Sequence, residues 1–159
     1  MIEVSYAGTD KVILAAIEAS AAEVAGTVMG ALDAKDAEMV SWIQGEELHG
    51  QILNQRTGKL AGSIRFLPAT QEGTSIVGQV EGAGGSAWYG ALFERGGTGP
   101  FDIHPVNKMA LWWEGAAHPV RVVHHPGIPS RPFMAPALEH FTPEIIAAVE
   151  TAISEALGG

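Results

Sequence analysis

The stretch LHGQILNQRTGKL, residues 48–60, decides how this chain folds, because the spacing of apolar residues changes across it. Before it they recur every three or four positions, as in a helix, and after it they alternate, as in a strand. Gly58 suits a left-handed turn at this change, where a Cβ would cost about 1 kcal/mol or more. Thr57 can hydrogen-bond to backbone groups of the same turn. The stretch therefore predicts helix, turn and strand in that order, and none of its residues is an obvious candidate for bond-making chemistry.

Upstream, residues 9–48 are predicted to be helical, and Thr9 or Asp10 can cap the amino end. Small residues separate the apolar ones, so another element can approach the helix closely. We expect residues 33–36, which include two aspartates, to break or kink it. The positions that give the segment its helical spacing are Ile13, Ile17, Val24, Val28, Leu32, Met39, Trp42 and Ile43.

Residues 59–124 are predicted to be mainly β with loops. Residues 60–67 and 75–80 alternate as paired strands do, and a turn-forming segment joins them. A second hairpin is expected between residues 109–113 and 120–124. The short apolar segment before Glu94 fits either a helical turn or a strand.

Two glycine-rich segments in this region are expected to be flexible loops. Gly84 and Gly85 belong to the first, and Arg95 begins the second, which runs to residue 100. Trp112 and Trp113 are neighbours in a predicted strand, so their indoles should point to opposite faces. We expect one in the core and the other under a helix or a partner.

The chain closes with a predicted helix at residues 133–157, which Pro143 is expected to kink or restart with Thr142 as the cap. Pro132 has a fixed φ at the mouth of this helix, and Phe133 should be driven into the core. The expected architecture is α+β in one domain, residues 1–159. A long N-terminal helix precedes a small antiparallel β-sheet, and the C-terminal helix packs on the sheet.

Composition limits what the chain can do. Of its 159 residues 47% are hydrophobic and only 17% charged, which suggests a surface covered by other subunits as well as a real core. The formal charge of −9 argues against tight binding to phosphate backbones. No apolar run approaches the roughly 20 residues of a membrane span, so no membrane partner is expected. No signal peptide is evident, which indicates cytoplasmic synthesis.

The motifs of common enzymes are missing. The chain has no cysteine, no Walker-type Gly-Lys-Ser/Thr sequence, no Gly-x-Ser-x-Gly elbow and no His-Glu-x-x-His element. His124 and His125 adjoin on a predicted strand and would point apart, so they do not suggest a metal site. Glu46 and Glu47 show nothing that would separate their pKa values as a glycosidase pair requires. We therefore expect no enzymatic activity, no cofactor and no metal.

Three groups of residues carry a resemblance to a known family. They follow the patterns Arg-Thr-Gly-x-Leu-x-x-Ser-Ile, Tyr-x-x-x-x-Glu-x-Gly and Pro-Gly-x-x-x-Arg-Pro-Phe, and they span roughly residues 40 to 140. The chain resembles the tail-completion, minor tail or head–tail joining (neck) proteins of tailed bacteriophages. It departs from the family pattern at Gly90 and Ser130, where alanine is usual. The matching residues are Arg56, Thr57, Gly58, Leu60, Ser63, Ile64, Tyr89, Glu94, Gly96, Pro126, Gly127, Arg131, Pro132 and Phe133.

The resemblance implies a structural protein of the virion, made in the cytoplasm of the bacterial host. Its copies would form a ring of about six or twelve subunits that joins tail to head. The adjoining proteins would be the connector, the tail terminator or the tail tube, and genomic DNA would only pass through. The acidic balance suits such a channel, because a negative lumen repels phosphates.

Loops and exposed charges are the expected contacts between subunits. Arg56 would reach a carboxylate such as Glu94 or a neighbouring subunit, or else be a solvated turn residue. Arg131 would make an interface contact or cap nearby carbonyls. The full set of interface candidates is Arg56, Thr57, Gly84, Gly85, Glu94, Arg95 and Arg131, with Gly58, Leu60, Tyr89, Trp112, Trp113, Pro132 and Phe133 as structural residues of the motifs.

Two alternative functions remain open from sequence. The first is a cytoplasmic assembly adaptor that binds a partner without staying in the particle. The second is a small metal-dependent hydrolase that uses His124 or His125, which the missing ligand motifs disfavour.

Overall fold

The computed structural model describes residues 9–49, 57–82 and 84–158 of the chain. Its order of elements confirms the predicted α+β class: a long N-terminal helix, antiparallel β-structure and a closing helix. The main elements are α1 (Thr9–Trp42), β1 (Arg65–Glu72), β2 (Ser75–Glu81), α2 (Gly90–Glu94), β3 (Phe101–Ile103), β4 (Val123–His125) and α3 (Met134–Ala156). A π-helical turn (Ile43–Glu47) and two 3₁₀ turns (Ala61–Ser63 and Gly85–Ala87) complete them.

α1 is one continuous helix, so the predicted break at residues 33–36 is wrong. The two aspartates of this segment instead contact the β1–β2 hairpin. Asp33 Oδ1 accepts a hydrogen bond from the Ala69 backbone N–H at 2.7 Å, next to an irregularity in β1. Asp36 is buried against β2, where a Cβ on Gly78 would lie 2.6 Å from its Oδ2. Their polarity therefore reflects contacts with the hairpin rather than the end of a helix.

Only the second half of α1 is substantially buried. Val28 and Met39 are in contact with the rest of the protein, whereas Leu14 and Ile17 are 58% and 60% exposed. Ile17, one of the residues that predicted the helix by their spacing, lies in α1 as expected, but its side chain is not buried. The first half of α1 thus presents apolar surface that nothing in the described part of the chain covers.

By length and composition alone, the same helix could cross a membrane. The sequence was expected to contain no apolar run that approaches the roughly 20 residues of a membrane span. The segment Leu14–Glu47 contains an 18-residue window with a mean hydropathy of 1.2, of which 6% is buried. This is weak support for a span, because signal sequences and core helices meet the same criterion. Glu18 and Glu23 lie in the first half of α1, and carboxylates in a bilayer are costly.

After α1 the chain turns through the segment that decides the fold. Ile43 and Leu48 are fully buried, and the Leu48 backbone N–H closes the π-helical turn onto the Ile43 carbonyl at 3.1 Å. Gly58 has φ of +68°, as predicted for a left-handed turn. Gln44 then joins both sides of the turn, because its Nε2 donates to the Ala61 carbonyl at 3.0 Å and to that of Ile64 at 3.1 Å.

β1 and β2 pair antiparallel from Arg65↔Glu81 to Glu72↔Ser75, which confirms the predicted hairpin with different bounds. Residues 60–64, predicted to be strand, form the turn that leads into β1. Pro68 lies within β1, at the irregularity between Leu67 and Thr70. Both strands pack on α1, and Val77 points away from it to the exposed face of the hairpin.

The second predicted hairpin is wrong in its pairing. β4 pairs with β3, from Phe101↔His125 to Ile103↔Val123, whereas residues 109–113 contribute only the single bridge Leu111↔Val120. A further bridge, Thr98↔Ile128, joins the two chain segments at the base of the β3–β4 pair. We call residues 98–128 the arm.

α3 is continuous, and Pro143 lies inside it, so the predicted restart at Thr142 does not occur. The Thr142 hydroxyl donates to the Leu138 carbonyl of the same helix at 2.6 Å. α3 packs mainly along α1, and its first half also lines a groove against β2. Across the helix pair, Trp42 stacks on His140 with ring centroids 5.0 Å apart. The main core lies where α1, the turn and α3 meet, and its buried members are Met39, Ile43, Leu48, Leu60, Ile64, Ala87, Phe133, Ala137 and Phe141.

Candidate functional site

The second and third motif groups meet at the carboxylate of Glu94. Its Oε2 accepts hydrogen bonds from the backbone N–H groups of Phe133 at 2.8 Å and Met134 at 2.9 Å. Its Oε1 accepts a third, from Ala135 at 2.9 Å. The first N–H groups of a helix have no partner within it, and a negative charge there is favourable. Glu94 therefore caps α3 from α2.

This capping role differs from the one predicted for Glu94, which was named as an interface residue and a partner for Arg56. Arg56 lies outside the residues that the structure describes. Residue Phe133 occupies the N-cap position and makes no side-chain cap. A helix that starts without Ser, Thr, Asp or Asn at that position is the sequence signal for an acceptor elsewhere.

The backbone on either side of this cap is also tied together. The Arg131 N–H donates to the Phe93 carbonyl at 3.0 Å, and the Ser130 hydroxyl lies 3.3 Å from the same oxygen. Phe93 in turn makes an edge-to-face contact with Tyr89, their centroids 6.4 Å apart. α2 and the start of α3 therefore form one hydrogen-bonded joint.

Gly97 belongs to the loop that follows this joint, and it approaches the other side of the arm closely. Its φ is +70°, and a Cβ there would lie 1.7 Å from the Ile128 carbonyl oxygen. The next residue, Thr98, exchanges two backbone hydrogen bonds of 2.9 Å with Ile128. The loop predicted at residues 95–100 is therefore joined to the other side of the arm at Thr98, and Arg95 at its start is exposed.

The remaining structural motif residues support the same joint from within. Phe133 is 1% exposed and packs in the core with Leu60 and Ile64, as predicted for Phe133. Pro132 and Tyr89 are partly buried beside it. The described residues of the three motif groups therefore have a mainly structural role. They hold the turn at residues 57–64, α2 and the start of α3 together.

Most of the other interface candidates lie at the surface. Thr57, Gly84, Gly85, Arg95 and Arg131 are all exposed. Gly85 begins a 3₁₀ turn, so the first glycine-rich segment is more regular than predicted at that point. The Arg131 guanidinium makes no hydrogen bond or ion pair within the described part of the chain, which argues against its role as a cap for carbonyls.

Both indoles of the Trp112–Trp113 pair are exposed, at 66% and 50%, so the prediction of one core tryptophan is wrong. They lie outside any strand, in the outer half of the arm, together with Val106 at 92% and Met109 at 90% exposure. Apolar side chains of this size, clustered in one segment and uncovered, usually mark a contact surface. From the sequence, residues 109–113 were expected to form a strand and only one of the two indoles to contact a helix or a partner, so the extent of this surface was not predicted.

The arm also contains four of the six histidines. His124 is exposed, with Nδ1 2.5 Å from Asp102 Oδ1, whereas His125 stacks on Phe101 with centroids 4.7 Å apart. The His125 Nδ1 accepts the Gly127 N–H at 3.0 Å. Among the described residues no group of three or more His, Cys, Asp or Glu side chains could hold a metal ion.

Two buried carboxylates lie apart from the joint. Burial raises the pKa of Asp36 above its usual range, and the Asp33 carboxylate raises it further, while a backbone hydrogen bond from Gln79 opposes the rise. Burial, and then the neighbouring Glu46, raises the pKa of Glu47 in the same way. Within the described part of the chain, Asp36 Oδ2 and Glu47 Oε2 have no hydrogen-bond partner. Asp36 packs against Gly78 of the hairpin, and it also lines the groove between β2 and the first half of α3.

Comparison with known proteins gave no matching family model, no matching curated protein and no matching solved structure. The resemblance to phage tail-completion proteins therefore depends on the motif residues themselves.

Proposed function

We propose that this chain is a structural protein of a tailed-phage virion, which forms a ring at the head–tail junction. In this role its copies join tail to head and line the channel through which DNA passes. The connector, the tail terminator or the tail tube would adjoin the ring.

The observation that carries this proposal is the exposed arm, in which Val106, Met109, Trp112 and Trp113 are uncovered, on a chain whose motifs resemble those of neck proteins. A protein that acts alone has little use for such a surface, whereas a subunit of an assembly buries it against its neighbours. The motif residues hold the base of the arm at the joint between α2 and α3. The motif residues therefore fix the position of the arm on each subunit, which is consistent with a role in the shape of the subunit.

The charge distribution supports a channel. α3 carries four glutamates and no lysine or arginine, and α1 carries six acidic residues and two lysines. If the two helices face the lumen, the surface that DNA meets repels its phosphates and the genome can slide.

The test is the composition of the infectious particle. We expect mass spectrometry of purified virions to find this chain in stoichiometric amounts, and electron microscopy to place it between head and tail as a ring. An assembly adaptor would be present in infected cells and absent from purified particles. Either that absence or a ring position away from the neck would overturn the proposal.

A further inference from the structure

We propose that the groove between β2 and the first half of α3, the β2–α3 groove, binds the side chain of a lysine that a partner protein carries on an apolar segment. The group that would hold its ammonium is the carboxylate of Asp36, at the floor of this groove. The inference concerns one groove and one chemical group, so it does not depend on the proposed ring. Absence of the chain from virions would overturn the proposed function and leave this binding unaffected.

The β2–α3 groove has the size and lining of a ligand site. It holds about 480 Å³, and such sites usually hold about 300–1,000 Å³. Its floor is buried, since Asp36 and Met39 are each 5% exposed, while Leu138 at its rim is 55% exposed. Apolar walls of this kind accommodate the methylene stem of a long charged side chain. The other apolar residues that line the groove include Leu32, Ile76, Val80, Met134 and Ile145.

Asp36 presents one unused carboxylate oxygen. A backbone hydrogen bond from Gln79 occupies part of the carboxylate, whereas Oδ2 has no hydrogen-bond partner within the described part of the chain. Gly78 makes room for that oxygen, because a Cβ there would lie 2.6 Å from it. A buried acceptor without a partner is costly, and a glycine inside a strand often marks a place of close approach. The fold thus retains an acid that weakens it, which is typical of a functional site.

The charges at the groove select a cation. Among the described residues that line it, the charged ones are Asp36 and Glu94, both acidic. Glu94 is already occupied by three N–H groups of α3. Lys35 adjoins Asp36 in the chain, but its ammonium lies 2.6 Å from Glu38 and 3.1 Å from Glu144. The free oxygen of Asp36 is therefore left for a cation from outside the described part of the chain.

A single free oxygen favours lysine over arginine. A guanidinium binds a carboxylate best through two parallel hydrogen bonds, one to each oxygen. An ammonium is a compact point charge, which a single acceptor can bind, and it stands on a flexible four-carbon stem. Because Gln79 already donates to the carboxylate of Asp36, an ammonium matches the acceptor that remains.

The net charge of the chain identifies the source of the lysine as a different, basic protein. Each copy of this chain has a formal charge of −9, so two copies repel each other overall. A basic partner is attracted by the same field, which speeds its association and disfavours wrong partners. The occupant is therefore a lysine of a separate protein rather than of a second copy.

The blocked peptide Ac-Ala-Leu-Lys-Leu-Ala-NH2 is a probe of this chemistry, and methionine methyl groups of the full chain report where it binds. Met39 and Met134 line the β2–α3 groove, whereas Met29 and Met109 do not. In ¹³C-methyl NMR spectra we expect the peptide to shift the resonances of Met39 and Met134 and to leave those of Met29 and Met109 unchanged. Shifts confined to Met29 or Met109, or no shift at millimolar peptide, would overturn the proposal.

Two changes to the peptide test the recognition of the ammonium. Nε-acetyl-lysine keeps the stem and removes the charge, so it should weaken binding by at least about tenfold. Arginine keeps the charge and should also bind more weakly than lysine, because its two-pronged contact lacks an acceptor. Equal binding of the acetylated peptide would show that the groove recognises apolar surface alone. Equal binding of the arginine peptide would overturn the selection of lysine.

A variant of the full chain tests the role of Asp36. Asp36→Asn should bind the lysine peptide at least about tenfold more weakly and should no longer distinguish it from the acetylated peptide. The matched control is Glu139→Gln, an exposed acid of α3 outside the groove, which should bind as the wild type does. Circular dichroism checks that both variants are folded, and an unfolded Asp36→Asn would leave the decision to the two peptide comparisons on the wild type.

Two outcomes would contradict this role. Unchanged affinity in a folded Asp36→Asn would overturn the proposal. Shifts of Met39 and Met134 that depend on protein concentration without peptide, and that Asp36→Asn abolishes, would place a second copy in the groove and overturn the assignment to a separate partner.

Discussion

Glu94 accepts the backbone N–H of Phe133 at 2.8 Å, and the two residues are 39 positions apart in the chain. This single contact joins α2 to the start of α3, and two further N–H groups of α3 share the same carboxylate. It places the aromatic ring of Phe133 in the core, since the backbone of that residue is held at the helix entrance. The base of the arm lies between these two elements in sequence, so the joint also fixes where the arm leaves the body.

We expect Glu94→Ala to lower the free energy of unfolding by about 2–3 kcal/mol, because it removes a charged acceptor from three N–H groups at a helix N-terminus. Urea denaturation of the purified protein measures the change. Glu139→Ala, an exposed position on α3, is the control and should change stability by less than about 0.5 kcal/mol. Equal effects at the two positions would show that the cap contributes nothing.

Phe133→Ala should destabilise the protein by about 3–5 kcal/mol, because a fully buried aromatic side chain leaves a cavity when it is removed. The comparison is Leu138→Ala on the same helix, at a side chain that is 55% exposed. Both can be measured in one series of urea unfolding curves. A loss of less than about 1 kcal/mol at Phe133 would mean that the core closes around the gap.

Arg131→Ala should leave the monomer folded and impair assembly. The side chain is exposed, and the hydrogen bond that its residue makes to Phe93 comes from the backbone, which the substitution keeps. Thermal melting should therefore match the wild type, while incorporation into virions falls. Lys59→Ala, another exposed basic position, is the control for loss of charge. A lower melting temperature in Arg131→Ala would instead assign the residue a structural role.

Local sequence patterns predicted the structural elements that are determined by residues close together in the chain. The helical spacing gave α1 and α3, the alternation gave the β1–β2 hairpin, and Gly58 marked a left-handed turn. Contacts between distant segments were missed, because they depend on how elements pack. Asp33 and Asp36 suggested a helix break because they are polar residues in an apolar segment. Their partners lie in the β1–β2 hairpin, more than 30 positions away, and could not be recognised from the neighbouring sequence.

The candidate site shows the same division. The motif residues were found from their pattern, but Glu94 was assigned to an interface, because its three donors lie about 40 positions downstream. The pairing within the arm was predicted wrongly for a related reason. Residues 109–113 and 120–124 are both apolar and could pair as a hairpin, but residues 123–125 pair with residues 101–103 instead. The exposure of Trp112 and Trp113 follows from the observed pairing of β3 with β4, which leaves their segment outside the sheet.

Gly97→Ala should be more destabilising than Gly96→Ala, although both glycines have positive φ. A left-handed backbone costs an alanine roughly 1–2 kcal/mol at either position. At Gly97 the added Cβ would also overlap the Ile128 carbonyl oxygen, whereas at Gly96 it would meet nothing within 4 Å. Thermal unfolding of the two variants measures the difference. Equal melting temperatures would show that the Thr98–Ile128 bridge yields without cost.

Asp36→Asn should stabilise the protein at neutral pH, by about 1 kcal/mol or more, and the gain should disappear in acid. Burial raises the pKa of this carboxyl in the folded state, so its ionised form opposes folding. The penalty is complete above the folded pKa and absent below the pKa of the unfolded chain, where both states are protonated. Urea unfolding from pH 3 to pH 7 should therefore show the stability curves of wild type and variant converging as the pH falls. Glu72→Gln, an exposed acid on β1, provides the control and should follow the wild type at every pH. A loss of stability in Asp36→Asn that is the same at all pH values would mean that the carboxylate is needed as a hydrogen-bond acceptor for Gln79 and that its charge costs nothing in the fold.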